Sequence, residues 1–459
     1  MSQLVVIILA AGQGKRMNSD LPKVLHRLAG RTLLEFVVDA ADSLRPTEIR
    51  VVYGHGGDRV PRALAHLGVA WILQSEQLGT GHAVLQAMPG IPDEATVLVL
   101  YGDVPLVAQT TLRQVVKQAE DSRLAVVTVD LDDPTGYGRV LRNPSGSIHG
   151  VIEERDADEH DKAVTEVNTG ILAANAGRLR RWLAAIKQGN AQGEYYLTDV
   201  IGLAAQEGIA IPSISPNAVE EVLGVNDRFQ LASLERYLQR LQAEELMRSG
   251  VTLRDPSRLD VRGTVRAGHD VVIDVNVVLE GRIVLGDGVS IGPNVLIRDS
   301  EIGPHTQILA NCVIEKSRAG ENCQIGPFSR LRPGVHLCDG VHVGNFVELK
   351  QSEVGAGSKV NHLSYVGDTD VGERVNIGAG TITCNYDGAF KHRTTIGDDA
   401  FIGSGTELVA PVKVGAGSTI GAGSTITHDT PPGELAVARS RQISISGWKR
   451  PAKPSAKTT

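Results

Sequence analysis

The stretch "IGPNVLIRDSEIGPHTQI", Ile291 to Ile308, carries isoleucine at 291, 297, 302 and 308. An amphipathic helix repeats every 3.6 residues and a half-buried strand every two. A period near six fits neither a helix nor a hairpin. The same period runs on through Ala319, Ile325, Leu331, Leu337, Val343 and Leu349, then Val354, Val360, Val366, Val371 and Ile377. It resumes at Ile396 and continues through Ile402, Leu408, Val414, Ile420 and Ile426. Glycine often follows the apolar residue, as in Ile291-Gly292, Ile325-Gly326 and Ile377-Gly378. Such a repeat predicts a parallel β-helix in which like side chains stack coil upon coil. One segment breaks the pattern, "TITCNYDGAFKHRTT" (381–395), and long loops in regular solenoids tend to carry function.

Upstream of the repeat, Leu231, Leu234, Leu238 and Leu241 recur at helical spacing and Ser249-Gly250 closes the run. This predicts a connector helix of roughly 30 Å. Before it, apolar runs at 4–10, 49–54, 71–75 and 96–102 alternate with helical patterns such as "TLLEFVVDAA" (32–41). That alternation predicts βαβ units and a mostly parallel sheet covered by helices on both faces. Ligands of such sheets bind beyond the carboxyl ends of the strands. The loop after the first strand and "YGD" (101–103) therefore fall on one rim.

Composition narrows the class. The 459 residues allow two or three domains. A net charge of −7 and an aromatic content of 4% argue against a nucleic-acid binder. No apolar run is long enough to span a bilayer, and no secretory leader is expected. The four cysteines, Cys312, Cys323, Cys338 and Cys384, lack CxxC spacing and suit a reduced, cytoplasmic protein.

The first loop, "LAAGQGKRM" (9–17), follows a buried strand. It lacks the glycine spacing and the hydroxyl of a P-loop and the third glycine of a dinucleotide fingerprint. Its backbone N–H groups still suit phosphate oxygens, and Arg16 and Lys23 suit their charge. With "LPKVL", "QSEQLGTGHA" (74–83), "YGDVPL" (101–106), "DDPTGYGRV" (132–140) and "QGEYYLTD" (192–199), the half resembles the sugar nucleotidyltransferases. With the six-residue repeats, nearly the whole chain resembles the bacterial bifunctional N-acetylglucosamine-1-phosphate uridyltransferase / glucosamine-1-phosphate N-acetyltransferase family. That family commonly has threonine before the arginine of the loop; here Lys15 stands there.

The resemblance implies an α/β chain in three parts. A Rossmann-like uridyltransferase domain would span 1–228 and a linker helix 229–249. A left-handed parallel β-helix acetyltransferase domain with a C-terminal tail would span 250–459. Acetyl would pass from acetyl-CoA to glucosamine-1-phosphate; UTP and the product would then give UDP-N-acetylglucosamine, a precursor of peptidoglycan and lipopolysaccharide. The partners would be small molecules, without nucleic acid or membrane insertion, and the β-helix would form a homotrimer.

In the first half, nucleotidyl transfer needs alignment and charge neutralisation rather than a base. A carboxylate at a strand end, Asp103, is a natural Mg²⁺ ligand, and by resemblance Asn226 shares the metal. From the residues alone, Asp103 also reads as a cap or turn residue and Asn226 as the cap of the connector helix. The resemblance places Leu9, Ala10, Ala11, Gly12, Lys23, Gln74, Gly79, Thr80, Tyr101, Gly102 and Asp103 around the nucleotide. Arg16 and Lys23 would serve the triphosphate and the departing pyrophosphate. Gly138, Glu153 and Asn168 would line the sugar pocket. Without the resemblance, Arg16 and Lys23 read as a solvated loop, Gln74 as polar rim, and Glu153 as part of an acidic loop. His55 reads as a turn residue.

In the second half, the amine must lose a proton before it attacks a thioester, so a base is required. By resemblance that base is His362, which on its own would read as a surface residue. Arg332, Lys350, Tyr365 and Asn376 would hold the sugar phosphate. Ala379, Asn385, Tyr386, Ser404, Ala422 and Arg439 would meet acetyl-CoA, with an N–H near Ser404 facing the oxyanion. A β-helix serving only oligomerisation or regulation is the competing reading.

Overall fold

The computed structural model describes residues 3–12, 14–54 and 56–451. The chain divides into two compact units, 1–242 and 243–459.

The first unit is built on a nine-stranded sheet. Its main path runs Ser213–Ile214, Leu124–Asp130, Glu166–Asn175, Thr96–Tyr101, Leu4–Leu9, Glu48–Tyr53, Ala70–Leu73. Leu4–Leu9 pairs in parallel with both neighbours, so it is an interior strand, and Glu166–Asn175 runs antiparallel to its partners. All four apolar runs form strands, and "TLLEFVVDAA" forms the helix Leu33–Asp42, capped by Thr32 and Glu35. Leu4–Leu9 is buried on both faces, which is why it reads as an unbroken apolar run. Val5, Ile7 and Leu9 join one core with the helices Thr80–Ala87, Ala176–Ala185 and Asp199–Gln206; Val6 and Ile8 join the other with Leu33–Asp42 and Gln109–Ser122.

The connector helix spans Arg228–Arg248. Leu234 is buried with Met17, Leu28, Leu33 and Val225, and Leu231 and Leu238 pack beside it. Leu241 departs from the expected stripe and is exposed, because at that turn the buried positions are Gln239 and Ala243 instead. Gly250 at φ 102° ends the helix, with Val251 N–H donating to Leu246 O.

The second unit is the parallel β-helix. Three buried columns rise through it, one per face. The first runs Ile291, Ile308, Ile325, Val343, Val360, Ile377, Ile402, Ile420. The second contains Ile297, Ile314, Leu331, Leu349 and Val366, and the third Ile302, Ala319, Leu337, Val354 and Val371. Coils are thus 17 or 18 residues long, three hexapeptides with an occasional deletion. The coil from Ile377 to Ile402 is longer, at 25. The expected break at 381–395 is narrower than the sequence suggested. Ile382–Cys384 and Thr394–Ile396 are strands in register with their neighbours, and Thr383 takes a buried column position.

Candidate active sites

A cavity of about 480 Å³ opens at the carboxyl ends of the first unit's strands. Its lining includes Leu9, Ala10, Ala11, Gly12, Lys23, Gln74, Gly79, Thr80, Tyr101 and Asp103, all expected there. Gly79 begins the helix beneath at φ 110°; a Cβ there would stand 2.6 Å from Tyr195 O, so only glycine fits. Gln74 is buried, with its amide nitrogen 3.2 Å from Gly79 O and 3.0 Å from His82 Nδ1. Gly102 sits behind the rim against Val24 and Ala10.

Lys23, Asp103 and Asn226 converge. The Lys23 ammonium pairs with Asp103 Oδ2 and donates to Asn226 Oδ1 at 3.2 Å. Two hard oxygens from distant segments thus aim at one cationic point, the donor set a magnesium ion prefers. Neither residue is a helix cap. Asp227 Oδ1 accepts from Gln230 N–H at the head of the connector helix, and the Asn226 N–H donates to Gln230 Oε1. Asp103 lies in the turn closed by Val104 N–H and Tyr101 O, and the next helix starts after Ala108. Val225 N–H donates to Asp103 O, which holds the two loops together.

Gly138, Glu153 and Asn168 lie together beside this cavity rather than in its lining. Gly138 pairs with Asn168 across two strands, and a Cβ on it would come within 3.4 Å of Glu153 Oε2. Burial, above all, raises the Glu153 carboxyl above the usual carboxylate range, although the Thr198 hydroxyl donates to it at 2.8 Å. The two groups of residues meet at Tyr101. Burial, then the charges of Glu153 and Asp103, push its phenol well above the ordinary tyrosine range. Arg16 is exposed on the short 3-10 turn Lys15–Met17, outside the cavity lining, with its charge bearing on Tyr137. His55 and Gln13 lie outside the described residues.

On the β-helix, His362 ends the strand Lys359–His362 and is exposed. Its Nδ1 lies 2.8 Å from Asn345 Oδ1, one coil below. The register continues upward: Ala379, Ser404 and Ala422 each stand two residues past the first column in successive coils, as His362 does. Gly380 N–H donates to His362 O, Gly405 N–H to Ala379 O and Gly423 N–H to Ser404 O. Arg439 reaches back to Ala422 O. The expected base and the small residues of the expected acetyl-CoA groove therefore form one edge of the prism.

Of the expected sugar-phosphate residues, Arg332, Lys350 and Tyr365 gather on the second face, whereas Asn376 stands on the first. Arg332 meets Glu348 at 2.9 Å and Lys350 meets Asp368 at 3.4 Å. Lys391, from the long coil, joins them; its contact with Lys350 and then the Lys350 charge press its ammonium below the usual lysine value. Three cations thus stand together, two of them already paired with the carboxylates of Glu348 and Asp368, an arrangement that suits a further anion such as a phosphate. Asn385 is buried and turns back on its own chain, donating to Tyr365 Oη at 3.4 Å and to Asp368. Tyr386 and Phe390 are exposed, and Tyr386 bridges to Lys391. Asn376, half-buried, sits between Lys359 and Phe401.

Residues 6–190 match the MobA-like NTP transferase domain family, and residues 320–351 and 393–428 match the bacterial transferase hexapeptide (six repeats). Over 452 residues the chain is 58% identical to the bifunctional protein GlmU of Methylococcus capsulatus, covering 98% of each chain. It is 57% identical over 448 residues to that of Azoarcus sp., covering 98% of this chain and 99% of the relative. It is 55% identical over 453 residues to that of Marinobacter nauticus, covering 99% and 100%. The chain belongs to the GlmU family. As a GlmU-family protein it joins a nucleotidyltransferase unit to a hexapeptide transferase unit.

Several residues at these GlmU-family sites were not singled out in the sequence. Gln77 and Glu194 line the first cavity, beside Lys15, which the sequence marked only as a departure from the family pattern. Gly170 leaves room for the Tyr101 ring, since a Cβ there would fall within 2.8 Å of Tyr101 Cζ. Asn345 and Lys391 reach the second site only because coils stack and the long coil folds back.

Proposed function

We infer that this chain makes UDP-N-acetylglucosamine in two steps at two separate sites. The observation that carries this reading is the segregation of two residue sets. Lys23, Asp103 and Asn226 converge at the strand ends of one unit; His362 and the strip Ala379–Ser404–Ala422 share one edge of the other.

In the uridylyl step, a phosphate oxygen of N-acetylglucosamine-1-phosphate attacks the α-phosphorus of UTP and pyrophosphate leaves. Asp103 and Asn226 would hold Mg²⁺, which when bound offsets phosphate charge. Lys23 and Arg16 neutralise the triphosphate and the leaving pyrophosphate. The Gly12 backbone cradles phosphate, Gln74 reads the base, and Gly138, Glu153 and Asn168 hold the sugar.

In the acetyl step, Arg332, Lys350 and Lys391 hold the phosphate of glucosamine-1-phosphate while Tyr365 and Asn376 meet the sugar. With Nδ1–H donating to Asn345 Oδ1, the lone pair of His362 Nε2 accepts the amine proton. The amine nitrogen bonds to the acetyl carbon, the carbon–sulfur bond breaks, and coenzyme A leaves as the thiol. The Ser404 N–H faces the developing oxyanion. Asn385, Tyr386 and Arg439 complete the acetyl-CoA groove. The cation cluster also favours this reading over a β-helix that serves only assembly.

The flat faces of the prism suit threefold packing, so we assign the protein as a homotrimer whose acetyl site is shared between chains. The exposed Tyr386 and Phe390, 61% and 71% accessible, would be covered by a neighbour. Four free cysteines fit a reducing cytoplasm, and among the described residues no helix is long and apolar enough to cross a membrane.

The test offers acetyl-CoA, UTP, Mg²⁺ and glucosamine-1-phosphate together and seeks UDP-N-acetylglucosamine. Asp103→Ala should abolish pyrophosphate release and spare acetyl transfer; His362→Ala should do the reverse. Loss of both activities in either folded variant would overturn the two-site assignment. For the shared site, inactive His362→Ala and Asn385→Ala chains are refolded as a mixture. Recovery of about a quarter of wild-type acetyl transfer supports sharing; no recovery in confirmed mixed trimers refutes it.

A further inference from the structure

The third face of the β-helix carries an outward ladder unrelated to either site. Glu301, Arg318, His336, Glu353 and Asp370 stand in register on successive coils, about 4.8 Å apart. Arginine neutralises most of it: Arg318 meets Glu301 at 3.4 Å and Arg393 holds Asp370. Among the described residues, Glu353 has only His336 as an ion-pair partner, Oε1 to Nδ1 3.9 Å. Cys338 lies two residues past His336, so both side chains leave the same side of the strand. The thiol sulfur, a ring nitrogen and a carboxylate oxygen of these three residues lie within 4.8 Å of one another. His336 and Glu353 are exposed and Cys338 is half-buried. Burial, and then the carboxylates of Glu353, Asp339 and Glu373, hold the Cys338 thiol above its ordinary range, and those same carboxylates make the locality attractive to a cation.

We propose that His336, Cys338 and Glu353 form a binding site for a borderline-soft divalent cation of the zinc class. Imidazole, thiolate and carboxylate are that ion's ligand set, and three protein ligands leave a fourth position for water. Tetrahedral bonds of ordinary length put ligand atoms about 3.3–3.8 Å apart. Closing from the present spacing takes about 1 Å, within reach of rotation by two exposed side chains. Magnesium, which demands oxygen ligands, is excluded by the same chemistry. On binding, the Cys338 thiol gives its proton to solvent and the sulfur takes the metal. The ligands come from two adjacent coils, so the ion clips one coil to the next.

The experiment uses the full-length protein, reduced and stripped with chelator, titrated with Co²⁺ and then Zn²⁺. A thiolate-to-cobalt charge-transfer band should rise to one equivalent per chain, and Zn²⁺ but not excess Mg²⁺ should remove it. Cys338→Ser should abolish the band, while Cys384→Ser keeps it. His336→Ala or Glu353→Gln should weaken Zn²⁺ binding on the order of a hundredfold, at least the cost of disturbing outer-shell partners. Thiol release from acetyl-CoA with glucosamine-1-phosphate, unchanged in each variant, reports that the β-helix is folded. A band that persists in folded Cys338→Ser, Zn²⁺ affinity unmoved by His336→Ala, or displacement by Mg²⁺ would each overturn the site.

Discussion

Gly378→Ala tests how tightly the acetyl site depends on coil stacking. The new Cβ would stand 2.6 Å from Ile402 O, 2.6 Å from Ser404 N and 2.8 Å from Gly403 C. All three are backbone atoms of the next coil and cannot rotate away. Ordinary contact begins at 3.4 Å, so the two coils must part by about 0.8 Å at this corner. Overpacking of that kind costs about 1–3 kcal/mol. Stretching the 2.8 Å bond from Gly378 N–H to Ile402 O adds about 1 kcal/mol. The three buried columns remain, so the fold survives with a lower melting temperature. The chemistry loses more. Ala379 and Ser404 flank the parted coils, and a misplacement near 1 Å costs about a hundredfold in rate. Thiol release from acetyl-CoA with glucosamine-1-phosphate is measured beside pyrophosphate release from UTP in one preparation. Thiol release should fall about a hundredfold, while pyrophosphate release stays within about twofold. Thiol release within about threefold of the parent would refute the placement of the Ser404 N–H at the reacting centre.

Three further outcomes are expected. Asn345→Ala should lower kcat of acetyl transfer about tenfold, the kinetic equivalent of one hydrogen bond, with KM for the sugar phosphate unchanged; a change confined to KM would count against a positioning role for the 2.8 Å contact with His362. Lys15→Thr should raise KM for UTP about two- to fivefold at low salt, the worth of one exposed charge contact, and the difference should shrink as salt is added; equal values at all ionic strengths would remove Lys15 from the phosphate site. Glu153 is held neutral more readily in the fold than in the unfolded chain, because burial raises its folded value. Stability is therefore lost as pH climbs from the ordinary carboxylate value through the raised one. Glu153→Gln should abolish that decline in the first unit's melting temperature while weakening sugar-phosphate binding; an identical decline in parent and variant would show that Glu153 is not its source.

The sequence by itself determined the architecture of both halves, because each rests on a local period. A six-residue spacing admits one regular structure, and unbroken apolar runs alternating with helical stripes admit a doubly covered parallel sheet. It also marked the rim residues from Leu9 to Gly12 and at 101–103, since strand ends in such sheets converge. Its marking of Asn226 rested on the family likeness. It did not determine which of Asn226 and Asp227 caps the connector helix, because adjacent polar residues have equal propensity for that place. Only the fold decides, by turning one oxygen toward Lys23 and the other toward the Gln230 N–H. The same holds for Leu241, whose spacing matched the stripe but which is exposed while Gln239 and Ala243 of the same turn are buried. Asn345, Lys391 and the trio of His336, Cys338 and Glu353 were also decided by tertiary structure. Their partners lie a coil or more away in sequence, and a coil may be 17, 18 or 25 residues long. Stacking, not spacing, sets which side chains meet, since one inserted or deleted residue moves every later side chain around the prism.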